Sequence, residues 1–140
     1  MQDAVIPRTR LPDVLATIHE IAQRQRITVC NVFHAGDGNL HPNIGYDASD
    51  PDESARVHKA MREIMEACVR IGGSITGEHG VGLDKLAYME QLFTPDTLRA
   101  MCDLRAAFDP KRASNPGKVI PVHSCREWHQ APAARPVAIA

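Results

Sequence analysis

Two histidines, His34 and His41, bracket a glycine-rich turn in His34-Ala-Gly-Asp-Gly-Asn-Leu-His41, and Thr76-Gly-Glu78-His79-Gly adds a carboxylate and a third imidazole. Neutral imidazole and carboxylate are ligands that zinc, manganese and iron all accept, and three protein ligands with an open position mark a catalytic rather than a structural site. His34, His41 and Glu78 are therefore the expected ligands of one divalent ion. Neighbouring residues in a tight loop face different ways, so His79 is expected to stand free as an acid/base group near neutral pH. A bound alcohol beside His79 points to oxidation and a bound water to hydrolysis; the residues by themselves leave both open.

The elements around these motifs explain how they can meet. Ile27 to Phe33 and Leu40 to Tyr46 read as two strands of a β-hairpin joined by a short connection with two glycines. Strand alternation puts His41 and Asn43 on one face and Leu40, Pro42 and Ile44 on the other. The turn can bring His34 beside His41, and Asp37 can orient an imidazole from behind. The glycines at 36 and 38 allow positive φ and close approach, and those at 77, 80 and 82 suggest backbone forced against something bulky, a ligand being the natural candidate.

Helices frame the hairpin. Pro12 suits a first turn, and Leu11, Val14, Leu15, Ile18, Ile21 and Ala22 repeat at helical spacing to about Gln25. Asp50 and Glu53 form a capping box around Pro51, and Ala60, Met61, Ile64, Met65, Cys68 and Ile71 carry a long helix that stops at Gly72-Gly73. Ser74 to Thr76 reads as a short strand, Leu83 to Leu92 as a weakly marked helix, and Thr94-Pro95 opens a last helix through Phe108, ended by Asp109-Pro110. Asn115-Pro116-Gly117-Lys118 is a turn. From 123 to 140 no periodicity remains, and a mobile tail is expected.

With 140 residues, 44% hydrophobic and 24% charged, the chain suits one soluble α+β domain. Sixteen basic and seventeen acidic residues balance to −1 without a basic run, which argues against a nucleic-acid partner. No apolar stretch is long enough for a membrane span and no signal peptide is recognisable, so a cytoplasmic location is expected. Cys30, Cys68, Cys102 and Cys125 form no Cys-x-x-Cys pair and read as reduced thiols, mostly core filler. His19, His58, His123 and His129 read as ordinary surface or hydrogen-bonded residues, as most lone histidines are.

Four segments in order, Asn31 to Pro42, Gly72 to Gly82, Ala107 to Pro110 and Asn115 to Lys118, resemble the C-terminal part of the FAD-linked oxidases of the vanillyl-alcohol-oxidase-like superfamily. The resemblance is to the branch of glycolate oxidase D subunits, D-lactate dehydrogenases and D-2-hydroxyglutarate dehydrogenases, and runs from about Asp3 to Cys125. It implies oxidation of a D-2-hydroxy acid, glycolate or D-lactate, to the 2-oxo acid with hydride passing to FAD. His34, His41 and Glu78 then fall on metal positions, His79 on the base that removes the hydroxyl proton, Asn43 on a substrate contact and Asn115 on a supporting FAD contact.

The resemblance further implies half of a ferredoxin-like cap, an antiparallel hairpin sheet with three to four helices, as a partial C-terminal domain over residues 1–122. The main FAD-binding domain and part of the substrate pocket are expected on another chain, with further oxidase subunits as partners. The isolated chain is accordingly expected to show no flavin spectrum. The alternative is a truncated, non-catalytic remnant or a stand-alone metal-binding module; a metal hydrolase lacks any motif for a scissile bond.

Overall fold

The computed structural model describes residues 2–121, which fall into two compact units divided between Val81 and Gly82. The tail expected from 123 onward, with His123, Cys125 and His129, lies outside the described residues. The class is α+β, as expected: a three-stranded antiparallel sheet and four helices. None of the described helices is long and apolar enough to cross a membrane.

The first unit holds the sheet, in the order β1 (Ala4–Val5), β3 (Asn39–Gly45), β2 (Thr28–His34). The hairpin is present, each strand displaced by one residue from the expectation, so that only Ala35 to Gly38 form the turn. The His34 carbonyl accepts from Asp37 N and Gly38 N and closes it. Register pairs His34 with Asn39 and Val32 with His41, which makes the two histidines diagonal neighbours on one face.

Pro42 sits in the central strand, where proline is normally excluded. Its carbonyl accepts from Gln2 N at 3.1 Å, so its backbone groups face β1 and the missing N–H interrupts none of the bonding to β2. The opposite sheet face carries Leu40, which is fully buried in a core with Ile18, Val57, Ile64, Met65 and Ile75.

Helix α1 (Leu11–Gln25) opens on Pro12 and closes at Arg26 in the left-handed region. It packs on α2 (Pro51–Arg70), where Glu63 receives both the Arg24 guanidinium and, at 3.1 Å, the Gln25 amide. The capping box before α2 is only half formed. Asp50 Oδ1 accepts from Asp52 N and Glu53 N, but Glu53 Oε2 accepts from Asp47 N at 3.0 Å because Asp50 N is already donated to the Asp47 carbonyl. The strand expected at Ser74 to Thr76 reduces to one bridge, Val5 to Ser74.

In the second unit the helix expected over Leu83 to Leu92 divides into a 3-10 turn, Leu86–Tyr88, and α3 (Met89–Leu92), with no side-chain cap on either. Thr94 caps α4 (Pro95–Phe108) by accepting from Thr97 N. Beyond it, Asp109 accepts from Ala113 N and Ser114 N, and these bonds hold its carboxyl below the usual carboxylate range. The Arg105 guanidinium donates to the carbonyls of Ser114, Asn115 and Lys118 and fastens the following turn.

The cysteines differ from the expectation. Cys102 is disulfide-bonded, which wide sequence spacing cannot exclude because a disulfide depends on spatial approach. Cys30 and Cys68 are free; Cys30 is exposed on β2, whereas Cys68 and Cys102 are both buried among hydrophobic residues, as core filler would be. Burial pushes the Cys68 thiol up to about 11, so little thiolate exists near neutral pH. A maleimide near pH 7.5 is expected to label Cys30 in the native protein and Cys68 only after denaturation; peptide mapping that finds both labelled equally in the native protein overturns this.

Candidate functional site

Side chains from the hairpin and from the loop after α2 converge within the first unit. His41 is buried and His34 exposed, their rings edge to face with centroids 5.5 Å apart. From the loop, His79 stacks on His41 at 5.0 Å and 17°. Between them Glu78 places Oε1 3.1 Å from His41 Nε2 and 3.4 Å from His79 Nε2. His79 therefore does not stand apart from the carboxylate in this arrangement: Glu78 touches both rings.

The orientation of His41 has a chemical consequence. Its Nδ1 lies 3.4 Å from the Gln2 carbonyl oxygen, which can only accept, so a proton on Nδ1 completes that bond, and in the neutral ring Nε2 then presents a lone pair. That lone pair faces a carboxylate oxygen. Two acceptors 3.1 Å apart repel unless a positive charge, a proton or a metal cation, lies between them.

His34, His41 and Glu78 each offer one donor atom, all within 4.8 Å of one another. Ligand atoms around a tetrahedral zinc lie about 3.4 Å apart given bonds of roughly 2.1 Å, so a small contraction suffices to close this set on an ion. A second grouping, Asp3, His41 and His79, meets the same distance condition. Asp3, however, already serves the loop backbone. Its Oδ2 accepts from Thr76 Oγ1 at 2.6 Å, Gly77 N at 3.0 Å, Glu78 N at 3.2 Å and His79 N at 3.0 Å.

Two expectations about supporting residues change. Asp37 is expected from the sequence to orient an imidazole, but the contact behind His41 comes from backbone, the Gln2 carbonyl, because the residues leading into β1 already lie against β3 there. What crowds Gly77 is protein rather than a ligand: a Cβ there would lie 2.6 Å from Val5 Cγ2 and 2.8 Å from Asn39 Oδ1. Nothing crowds Gly80 or Gly82.

Asn43, half-buried two residues beyond His41, donates from Nδ2 to the His41 carbonyl at 3.1 Å. Asn115 belongs to the second unit, in the left-handed region at φ 47°, where its Oδ1 accepts from Lys118 Nζ. Gln2 and Asp3 are the site residues that sequence reasoning missed. The available signal was an acidic residue opening the short apolar run Ala4-Val5-Ile6 before Pro7, a carboxylate entering the core with its chain.

Comparison with known proteins places the chain in a family. Residues 1–119 match the family described as FAD linked oxidases, C-terminal domain. The glycolate oxidase subunit GlcD of Escherichia coli K12 is 47% identical over 127 residues, 90% of this chain and 26% of the relative. The Bacillus subtilis subunit of the same name is 44% identical, over 85% of this chain and 25% of its own length. A probable mitochondrial D-lactate dehydrogenase of Danio rerio is 36% identical, over 84% and 24%. The chain thus spans about a quarter of the length of these relatives. Because that match runs through both histidine motifs and on to the Asn115 turn, the chain belongs to the C-terminal domain family of the FAD linked oxidases.

Proposed function

We propose that this chain supplies the metal ligands, the proton acceptor and part of the substrate contacts for oxidation of a D-2-hydroxy acid, glycolate or D-lactate, in a cytoplasmic FAD-dependent enzyme. The observation that carries the reading is the opposed pair, His41 Nε2 and Glu78 Oε1 at 3.1 Å, with His34 beside it. A proton satisfies two acceptors. A third converging donor suits an ion with more coordination places, and zinc, manganese or iron accept this set.

The bound groups supply two pieces of chemistry, a lowered pKa for an ion-bound hydroxyl and hydride acceptance by the flavin. The rest falls to side chains. His34, His41 and Glu78 would hold the ion, and the substrate's hydroxyl and carboxylate would bind beside these side chains. His79, stacked on His41, takes the hydroxyl proton, and Asn43 contacts the substrate from the same strand face. Asn115 is the proposed flavin contact. Most flavin contacts are assigned to the remaining three-quarters of an enzyme of the relatives' length, whether on one polypeptide or on a partner chain.

Cobalt(II) loading tests this reading. Glycolate is expected to shift the visible bands of the Co2+-loaded chain, whereas acetate, which lacks the hydroxyl, leaves them nearly unchanged; equal effects of the two acids reject the hydroxy-acid assignment. His79→Gln is expected to retain the ion, which separates the proposed base from the proposed ligands.

A further inference from the structure

We infer that Asp3 is the positioning residue that gives the Glu78 and His79 arm of the site its shape. This inference rests on the metal-site reading above for its consequence, though not for its geometry. Three consecutive backbone N–H groups, of Gly77, Glu78 and His79, aim at one oxygen, Asp3 Oδ2, with the Thr76 hydroxyl as a fourth donor. Successive amides converging on one point form an anion nest. Here the anion is a side chain arriving from 73 to 76 residues away.

The nest sets where the side chains go. Amides turned inward to Asp3 leave the side chains of residues 78 and 79 projecting from the rim of the loop, where Glu78 meets His41 and His79 stacks on it. Thr76 locks the far side, since its Oγ1 also accepts from Gly80 N at 2.9 Å. A carboxylate as buried as this one, 0% exposed, is tolerable only when hydrogen-bonded in this way.

Asp3 is itself held by backbone. Gln2 N donates to Pro42 O, Val5 and Ser74 exchange bonds at 3.1 and 2.7 Å, and Ile6 N donates to Gly38 O. The dipeptide Gln2-Asp3 consequently governs both arms: the Gln2 carbonyl orients His41 and the Asp3 carboxylate orders the loop that carries Glu78. A ligand role for Asp3 in the grouping with His41 and His79 is the competing use of the same side chain.

Asp3→Asn keeps the size of the side chain and removes its charge. In the metal-free protein, amide hydrogen exchange at Gly77, Glu78 and His79 is expected to rise at least tenfold while α1 and α2 stay protected. Co2+ affinity is expected to fall about 10–100-fold, the usual cost of losing an outer-shell partner, with the visible bands of the bound ion retained. Unchanged exchange at the three amides overturns the inference, and so does a changed band pattern, which makes Asp3 a ligand. If Asp3→Asn fails to fold, Thr76→Val carries the same test through the fourth donor, with smaller changes in the same direction. Wild-type protein that takes up no Co2+ rejects the metal reading alone, because the exchange measurement stands without the ion.

Discussion

Replacing His41 by alanine is expected to abolish binding of the single divalent ion proposed for each chain, with affinity falling by more than about 100-fold, beyond what loss of an outer-shell partner costs. The size of the effect follows from preorganisation. His41 is 5% exposed, its Nδ1 is anchored on the Gln2 carbonyl, and its ring lies between those of His34 and His79. Little freedom would be left to lose on ion binding, so this ligand would contribute nearly its full interaction. His34 is exposed on the end of β2 and would have to be ordered on binding, so His34→Ala is expected to weaken the ion less than His41→Ala. Competition titration with a chromophoric chelator measures both. Full metal content in His41→Ala, or the reverse ranking, rejects the assignment.

Gly38→Ala is expected to destabilise the first unit by about 2–5 kcal/mol. The residue has φ 72°, where an L side chain costs roughly 1–2 kcal/mol, and an added Cβ would lie 2.2 Å from the Ile6 carbonyl oxygen. Relieving that overlap moves backbone against backbone, at roughly a further 1–3 kcal/mol. Gly36 is the internal control, since nothing lies within 4 Å of a Cβ there; Gly36→Ala is expected to change stability by less than about 1 kcal/mol. Urea denaturation followed by circular dichroism compares the two. Equal midpoints for the variants sink the argument. The Gly38 variant should also bind the ion more weakly, because the Ile6 to Gly38 bond anchors the strand that carries Gln2 and Asp3.

Much of this was legible in the chain because it depends on short-range physics. Pro12, Asp50 and Thr94 start helices where expected, since capping and proline act within a turn. Alternation alone put His41 on the face opposite Leu40, and the hairpin turn brought His34 to it. The conjunction of two histidines with Gly-Glu-His-Gly named the residues that meet.

Folding in three dimensions decided the rest, and at the site the reason is a common one: its supporting contacts depend on where residues 2–6 land, and no local pattern encodes that. The Asp3 nest spans more than seventy residues, Gly77 is small because Asn39 and Val5 occupy its surroundings, and Pro42 fits a central strand because Gln2 bonds its carbonyl. Residue types and local periodicity determined which side chains could do the chemistry; long-range docking of a short N-terminal strand determined their aim, because orientation comes from backbone partners that are distant in sequence.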